Sequence, residues 1–211
     1  MKFTSDGISM KLKKRHIVDL IGHCIGYECP SKEISIMECD KCEADYYVVP
    51  NHYSHKAVSN SCISLIVTYK GKKEGALQIG YGIRPKIKGE FDPESVREFD
   101  RMWLSDNMPK FSETIVLSLL THYLKESHPE IKVLISYADT SAGKTGTIYK
   151  AGNYELVDRL KADFYVMPDG ERVHPVTMWH RHKTRSWDFL QKTYPGIKKA
   201  DGEQLKFIYR L

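Results

Sequence analysis

Four consecutive pieces decide the fold: REFDRMWL (97–104), SETIVLSLLTHYL (112–124), KVLISYAD (132–139) and KTGTIYKA (144–151). The first alternates Phe99 with Asp100 and Met102 with Trp103, the period of a strand. In the second, Ile115, Val116, Leu119, Leu120, Tyr123 and Leu124 recur at helical spacing. Ser112 reads as its N-cap, and His128-Pro129 must end it. The third is a short buried-type strand that ends at Asp139. The fourth predicts a second helix over 144–151, stopped by Gly152-Asn153. Strand, helix, strand and helix in this order predict an α/β (α+β) mixed sheet. Ligands of such units sit at the carboxyl ends of the strands, beside a helix N-terminus.

Working outward, Ile63 to Tyr69 and Gly75 to Tyr81 read as a hairpin turned by Lys70-Gly71-Lys72. Gly82, Pro85 and Gly89 mark a loop. Upstream, Lys11 to Gly22 predicts a helix with Ile17, Leu20 and Ile21 on its apolar face. Downstream, Ala162 to Met167 predicts a strand, Pro168 to Glu171 a turn, and Gln204 to Tyr209 a last strand. A chain of 211 residues without repeats or low-complexity linkers predicts one domain over 1–211.

Hydrophobic residues make up 41% and charged residues 28%, enough for a core in an ordinary globular chain. No apolar run reaches the roughly 18 residues that span a membrane. Met1 to Met10 lacks an apolar signal core, so the expected compartment is the cytoplasm, without a membrane partner.

Five cysteines in such a chain point to thiols or a metal site rather than disulfides. Cys24, Cys29, Cys39 and Cys42, with His23 as a substitute for Cys24, have a spacing compatible with tetrahedral zinc. The Cys39-Asp40-Lys41-Cys42 knuckle is its stronger half. This makes 23–42 a candidate structural-zinc insertion. The competing reading is a few buried thiols acting as small apolar residues.

The net charge of +5 is concentrated. Residues 171–199 hold seven Lys/Arg against two Asp/Glu, and the remainder is balanced at 25 of each. Within this segment Trp179, Arg181, Lys183, Arg185 and Trp187 interleave cations with rings. Cations neutralise phosphates and tryptophans stack on bases, so the segment is a candidate nucleic-acid face. The alternative is a solvated basic element with its tryptophans in the core.

Several stretches resemble one family. They are FDRMWLSD (99–106), PKFSET (109–114), LISYAD (134–139), GTIYKAGNY (146–154) and, upstream, Asn51-His52-Tyr53-Ser54-His55. From about Pro50 to the C-terminus the chain resembles the Mom family of phage DNA-modification proteins. The resemblance implies a GNAT-like N-acyltransferase fold with a small Cys-bearing N-terminal insertion. The Arg97 strand would be the fourth of that sheet, and the Lys132 strand the fifth. It also implies transfer of an acetamide (methylcarbamoyl) group to adenine N6 of double-stranded DNA, protecting phage DNA from host restriction.

On that resemblance the donor lies at the N-terminus of the Ser112 helix, with Arg101, Ser112 and Thr114 as cofactor-binding residues. Ordinary GNAT enzymes carry a glycine-rich loop there. This chain has none, and it has Phe111 and Thr114 where the family pattern has Asn and Ser. The donor is therefore left open between the CoA type and another. Tyr149 would be the general acid and Asp139 a proton acceptor, metal ligand or helix cap. His52 and Tyr53 would be further catalytic candidates. Tyr149 as a packed aromatic is the structural alternative. The family also permits a catalytic iron, with Asp139, Tyr149 and His180-x-His182 as ligands if the histidines share a strand face. A homodimer is compatible with all of this. The competing functions are an acetyltransferase for a protein or small amine, and an inactive zinc-containing DNA-binding module.

Overall fold

In the computed structural model, which describes residues 13–52, 55–82 and 91–211, the N-terminal third is antiparallel sheet. Strands β1 (Arg15–Val18), β2 (Cys24–Cys29) and β3 (Ile34–Glu38) form a meander, and helix α1 (Lys41–Asn51) follows. Residues 11 and 12 of the predicted helix over 11–22 lie outside the described residues, and the rest is instead β1 and a turn. Asp19 accepts hydrogen bonds from the Ile21 and His23 N–H groups, and Gly22 takes φ +88°. This local turn chemistry competes with helix. Leu20 and Ile21, expected on an apolar face, are exposed.

The hairpin β4 (Ser61–Tyr69) and β5 (Lys72–Gly80) is as expected, with Lys70 and Gly71 both at positive φ, the pattern of a type I′ turn. Next come β6 (Val96–Leu104), α2 (Ser112–Ser127), β7 (Val133–Asp139), α3 (Thr147–Ala151) and β8 (Glu155–Lys161). Then follow β9 (Tyr165–Val166), β10 (Arg172–Val173), α4 (Pro175–His182), α5 (Trp187–Thr193), β11 (Lys198–Lys199) and β12 (Glu203–Arg210). Among the described residues no helix is long and apolar enough to cross a membrane.

The chain divides into two compact units, Met1–Ile135 with Tyr209–Leu211, and Ser136–Ile208. In the first, the strand order is β1-β2-β3-β4-β5-β6-β7, antiparallel up to β6 and parallel from β6 to β7. Leu65 pairs with Glu38 and Leu77, so the three share a face. The Tyr123 hydroxyl of α2 donates to Glu38, which puts α2 on that face. Ile66 and Ala76 face the other way and pack on Ala44 and Val48 of α1. The β6–β7 pairing covers only Val96–Glu98 against Val133–Ile135, although β6 runs on to Leu104.

In the second unit β12 pairs antiparallel with β8. A small sheet, β10-β9-β11, carries a core of Tyr165, Met167, Val173, Met178, Leu190 and Ile197. The predicted helix over 144–151 shortens to Thr147–Ala151 because Gly146 takes φ +70° before it. A Cβ at Gly146 would lie 2.4 Å from the Phe207 ring. Gly152-Asn153 ends the helix as expected, with Asn153 at φ +62°.

Candidate functional site

In the first unit the helix N-terminus that would face a donor is built without glycine. Phe111, not Ser112, is the N-cap of α2. It takes φ +69°, and the residue is 77% exposed. Ser112 is the first helical residue, and its hydroxyl donates to the Pro109 carbonyl at 2.6 Å. It is buried, so its oxygen serves the turn rather than the helix N–H groups. Glu113 and Thr114 are in the first turn, where backbone N–H groups lack intrahelical acceptors. Beside them a concavity of about 400 Å³ is lined by Leu104, Ser105, Pro109, Lys110, Phe111 and Ser112, among others. The same lining carries Lys110 together with the carboxylates of Asp106 and Glu113.

Arg101 lies on β6 with its guanidinium donating to the Asp100 carbonyl at 2.7 Å. His52 follows the end of α1 and closes it, its N–H bonded to the Val48 carbonyl at 2.8 Å. Tyr53, Pro85 and Gly89 lie outside the described residues.

In the second unit Asp139 is buried at the end of β7. One carboxylate oxygen accepts from the Ser141 N–H at 2.9 Å and the Ser141 hydroxyl at 2.5 Å. The other accepts from Arg172 at 2.5 Å. Arg172 also donates to the Ser141 hydroxyl at 2.6 Å and carbonyl at 3.0 Å. Asp139 thus caps the turn at Thr140–Ala142 and forms a largely buried ion pair. Arg172, which sequence reasoning passed over, is the side chain that pairs with it. Its signal was the one basic residue just after the Pro168–Glu171 turn, 33 positions away. Tyr149 is buried on α3, its ring 5.4 Å from that of Tyr154 and 5.3 Å from that of Phe207. It is packed as an aromatic on at least those two sides.

The cysteines do not assemble the expected zinc site. Cys24 and Cys29 open and close β2, five residues apart, roughly 16 Å along a strand. Two thiolates on one zinc need sulfurs within about 4 Å. Cys29 is buried, Cys42 is exposed, and burial together with Glu43 pushes the Cys39 thiol up to about 12. Among the described residues no group of three or more His, Cys, Asp or Glu is gathered to hold a metal. The histidine pair offered for iron is on helix α4, not a strand. Residues two apart on a helix point to different sides. His182 meets the Tyr194 hydroxyl at 2.8 Å, while His180 is exposed.

The basic segment is two short helices with their connecting turns. Arg181, Lys183 and Arg185 are exposed, as is Trp179 at 48%. Lys183 caps α4 in the left-handed region. Trp187 is different: its ring stacks on Tyr165 and packs on the small core, with Lys199 over it. It belongs to the core and not to a base-stacking surface.

A mixed sheet with a parallel strand–helix–strand centre leaves the activity open, because one fold carries many functions. The chain belongs to the Mom protein family, which matches residues 33–211. It is 31% identical over 171 residues to Methylcarbamoylase mom of Escherichia phage Mu, covering 79% of this chain and 70% of that protein. Among solved structures it is similar to a GNAT family acetyltransferase from Elizabethkingia anophelis with acetyl-CoA bound (TM-score 0.49, 10% identity, 85% of this chain and 99% of that one). It is also similar to an IAA acetyltransferase from Bacillus cereus (TM-score 0.47, 10% identity, 84% and 99%).

Proposed function

We propose that this protein transfers an acetamide (methylcarbamoyl) group to the N6 amino group of adenine in double-stranded DNA, as a phage modification that blocks host restriction. The observation that carries this reading is the 31% identity to the phage Mu methylcarbamoylase over 171 residues. The bond from N6 to the methylene carbon of the acetamide group forms as the bond from that carbon to the donor's leaving atom breaks. N6 gives up a proton, and the leaving atom takes one. The first turn of α2, with Thr114 and Lys110, suits the anionic end of a CoA-type donor. Tyr149 is assigned the proton for the leaving group. Asp139 holds Ser141 and Arg172 in place, and Arg181, Lys183 and Arg185 meet DNA phosphates. Duplex DNA must present the amino group, most simply by flipping the base.

The test is mass spectrometry of nucleosides from a host expressing the protein. A modified adenine heavier by one acetamide group is expected. Tyr149→Phe should reduce it by on the order of 10²-fold or more. Unaltered adenine with wild-type protein present would overturn the reading in favour of a protein- or small-amine acyltransferase. Full activity in Tyr149→Phe would remove the acid assignment.

A further inference from the structure

Strand β6 contains an irregularity that the alternation of its residues conceals. Gln78 of β5 pairs with Arg101, but the next residue, Ile79, pairs with Phe99. Asp100 is the extra residue of a β-bulge, a device that re-aims side chains and is common beside active sites. Directly paired residues share a face, so Arg101 is on the side of Gln78, and Glu98 on the side of Gly80. That side is the one Ala76 presents to α1. Asp100 joins them, since its Oδ2 lies 2.3 Å from where a Cβ on Gly80 would stand. Only glycine leaves that space.

Three buried atoms of this cluster have no hydrogen-bond partner among the described residues: Gln78 Oε1, Asp100 Oδ2 and Arg101 Nε. Gln78 is fully buried and its amide nitrogen is already committed, donating to Asp45 Oδ1 of α1 at 2.8 Å. Its orientation is therefore set, with the carbonyl left over. Native proteins rarely leave buried polar atoms unsatisfied, and three within four residues of one strand pair need a physical reason. The set comprises two acceptors and one N–H donor. A primary carboxamide is its complement, with two N–H donors and one carbonyl acceptor.

Methylcarbamoyl contains such a carboxamide, and this inference rests on the function proposed above. We infer that Gln78, Asp100 and Arg101 form the recognition site for the carboxamide of the transferred group. Gln78 Oε1 and Asp100 Oδ2 accept from its NH₂, and Arg101 Nε donates to its carbonyl. The site gives a chemical basis for preferring an acetamide group over an acetyl group. An acetyl methyl would leave the two acceptors unpaired, and such losses discriminate strongly.

The titratable and charged groups around the bulge are Glu98 and Arg101 from β6, Cys62 from β4 and, through Gln78, Asp45 from α1. Burial and Glu98 push Asp100 up to about 7, against the opposing charge of Arg101. Amide N–H donors favour the ionised carboxylate, so amide binding tightens as pH rises through that value.

The experiment is fluorine NMR of the purified full chain with fluoroacetamide, fluoroacetate serving as the control. Fluoroacetamide broadens and is displaced by acetamide, while fluoroacetate does not broaden. Gln78→Leu and the isosteric Asp100→Asn each weaken amide binding about tenfold, with folding checked by circular dichroism. Equal binding of amide and carboxylate, unchanged binding in a folded Asp100→Asn, or displacement by adenosine would each overturn the inference. Nucleoside mass spectra from the same proteins separate the two readings. Amide binding without modified adenine supports this site and sinks the DNA reaction, whereas modified adenine without amide selectivity does the reverse.

Discussion

Asp100, within β6 of the first unit, and Asp139, at the end of β7 in the second, are two aspartates that live in different chemistries. Asp139 has both oxygens engaged, by Ser141 and by Arg172. Asp100 has one buried oxygen without a donor, and its environment raises it to about 7. The first arrangement is what a carboxylate needs to hold a turn and an ion pair in place. The second leaves acceptor capacity that a bound donor can fill. Motif position singles out Asp139, and hydrogen-bond accounting singles out Asp100.

The comparison breaks most visibly at Asp139. Asp139→Ala takes the counter-ion from Arg172 and leaves the turn uncapped, and should destabilise the protein by on the order of 3 kcal/mol. Arg172→Ala should do much the same, and the double variant should cost less than the two singles together. Urea denaturation of the three proteins measures this. Strictly additive losses would show that the ion pair is not a unit.

At Asp100 the effect depends on pH. Its folded value, about 7, lies above its ordinary 3.8. The folded state therefore binds the proton more tightly. The stability this carries is complete below about pH 4 and is lost as pH rises through 7. Asp100→Asn removes the ionisation, so it should raise the melting temperature at pH 8 and leave it nearly unchanged at pH 4. An equal shift at both values would mean that the carboxyl does not titrate in this range.

The exposed residues sharpen the contrast with smaller effects. Lys183→Ala should lower the slope of log binding constant against log salt for duplex DNA by about 1. Arg181→Ala should change it less, because Glu171 stands 3.7 Å from that guanidinium. A slope unchanged in Lys183→Ala would remove α4 from the DNA surface. Smallest of all, Phe111→Asn relieves a left-handed non-glycine residue whose ring is exposed, and should stabilise by about 1 kcal/mol or less in the same urea experiment.

Much of the fold is legible before any coordinates. The apolar face of α2, the tight turn of the hairpin at Lys70-Gly71-Lys72 and the Gly152-Asn153 stop come from local periodicity and turn chemistry. The first helix was misread because Asp19 and Gly22 make a turn that outweighs three apolar residues. Helix α1 went unseen, since its sequence, with Pro50 inside, carries almost no amphipathic signal. Trp179 and Trp187 look alike in a basic run, yet one is exposed and the other stacked on Tyr165.

The sequence by itself determined the family, the strand–helix–strand centre and the concentration of positive charge in residues 171–199. These depend on residue type and near-neighbour spacing. Only the tertiary structure decided that Arg172 closes on Asp139, that the cysteines stay apart, and that Asp100 turns towards Gly80. A bulge leaves no trace in the alternation of Phe99, Asp100 and Arg101, because the extra residue becomes visible only when β5 is laid against β6.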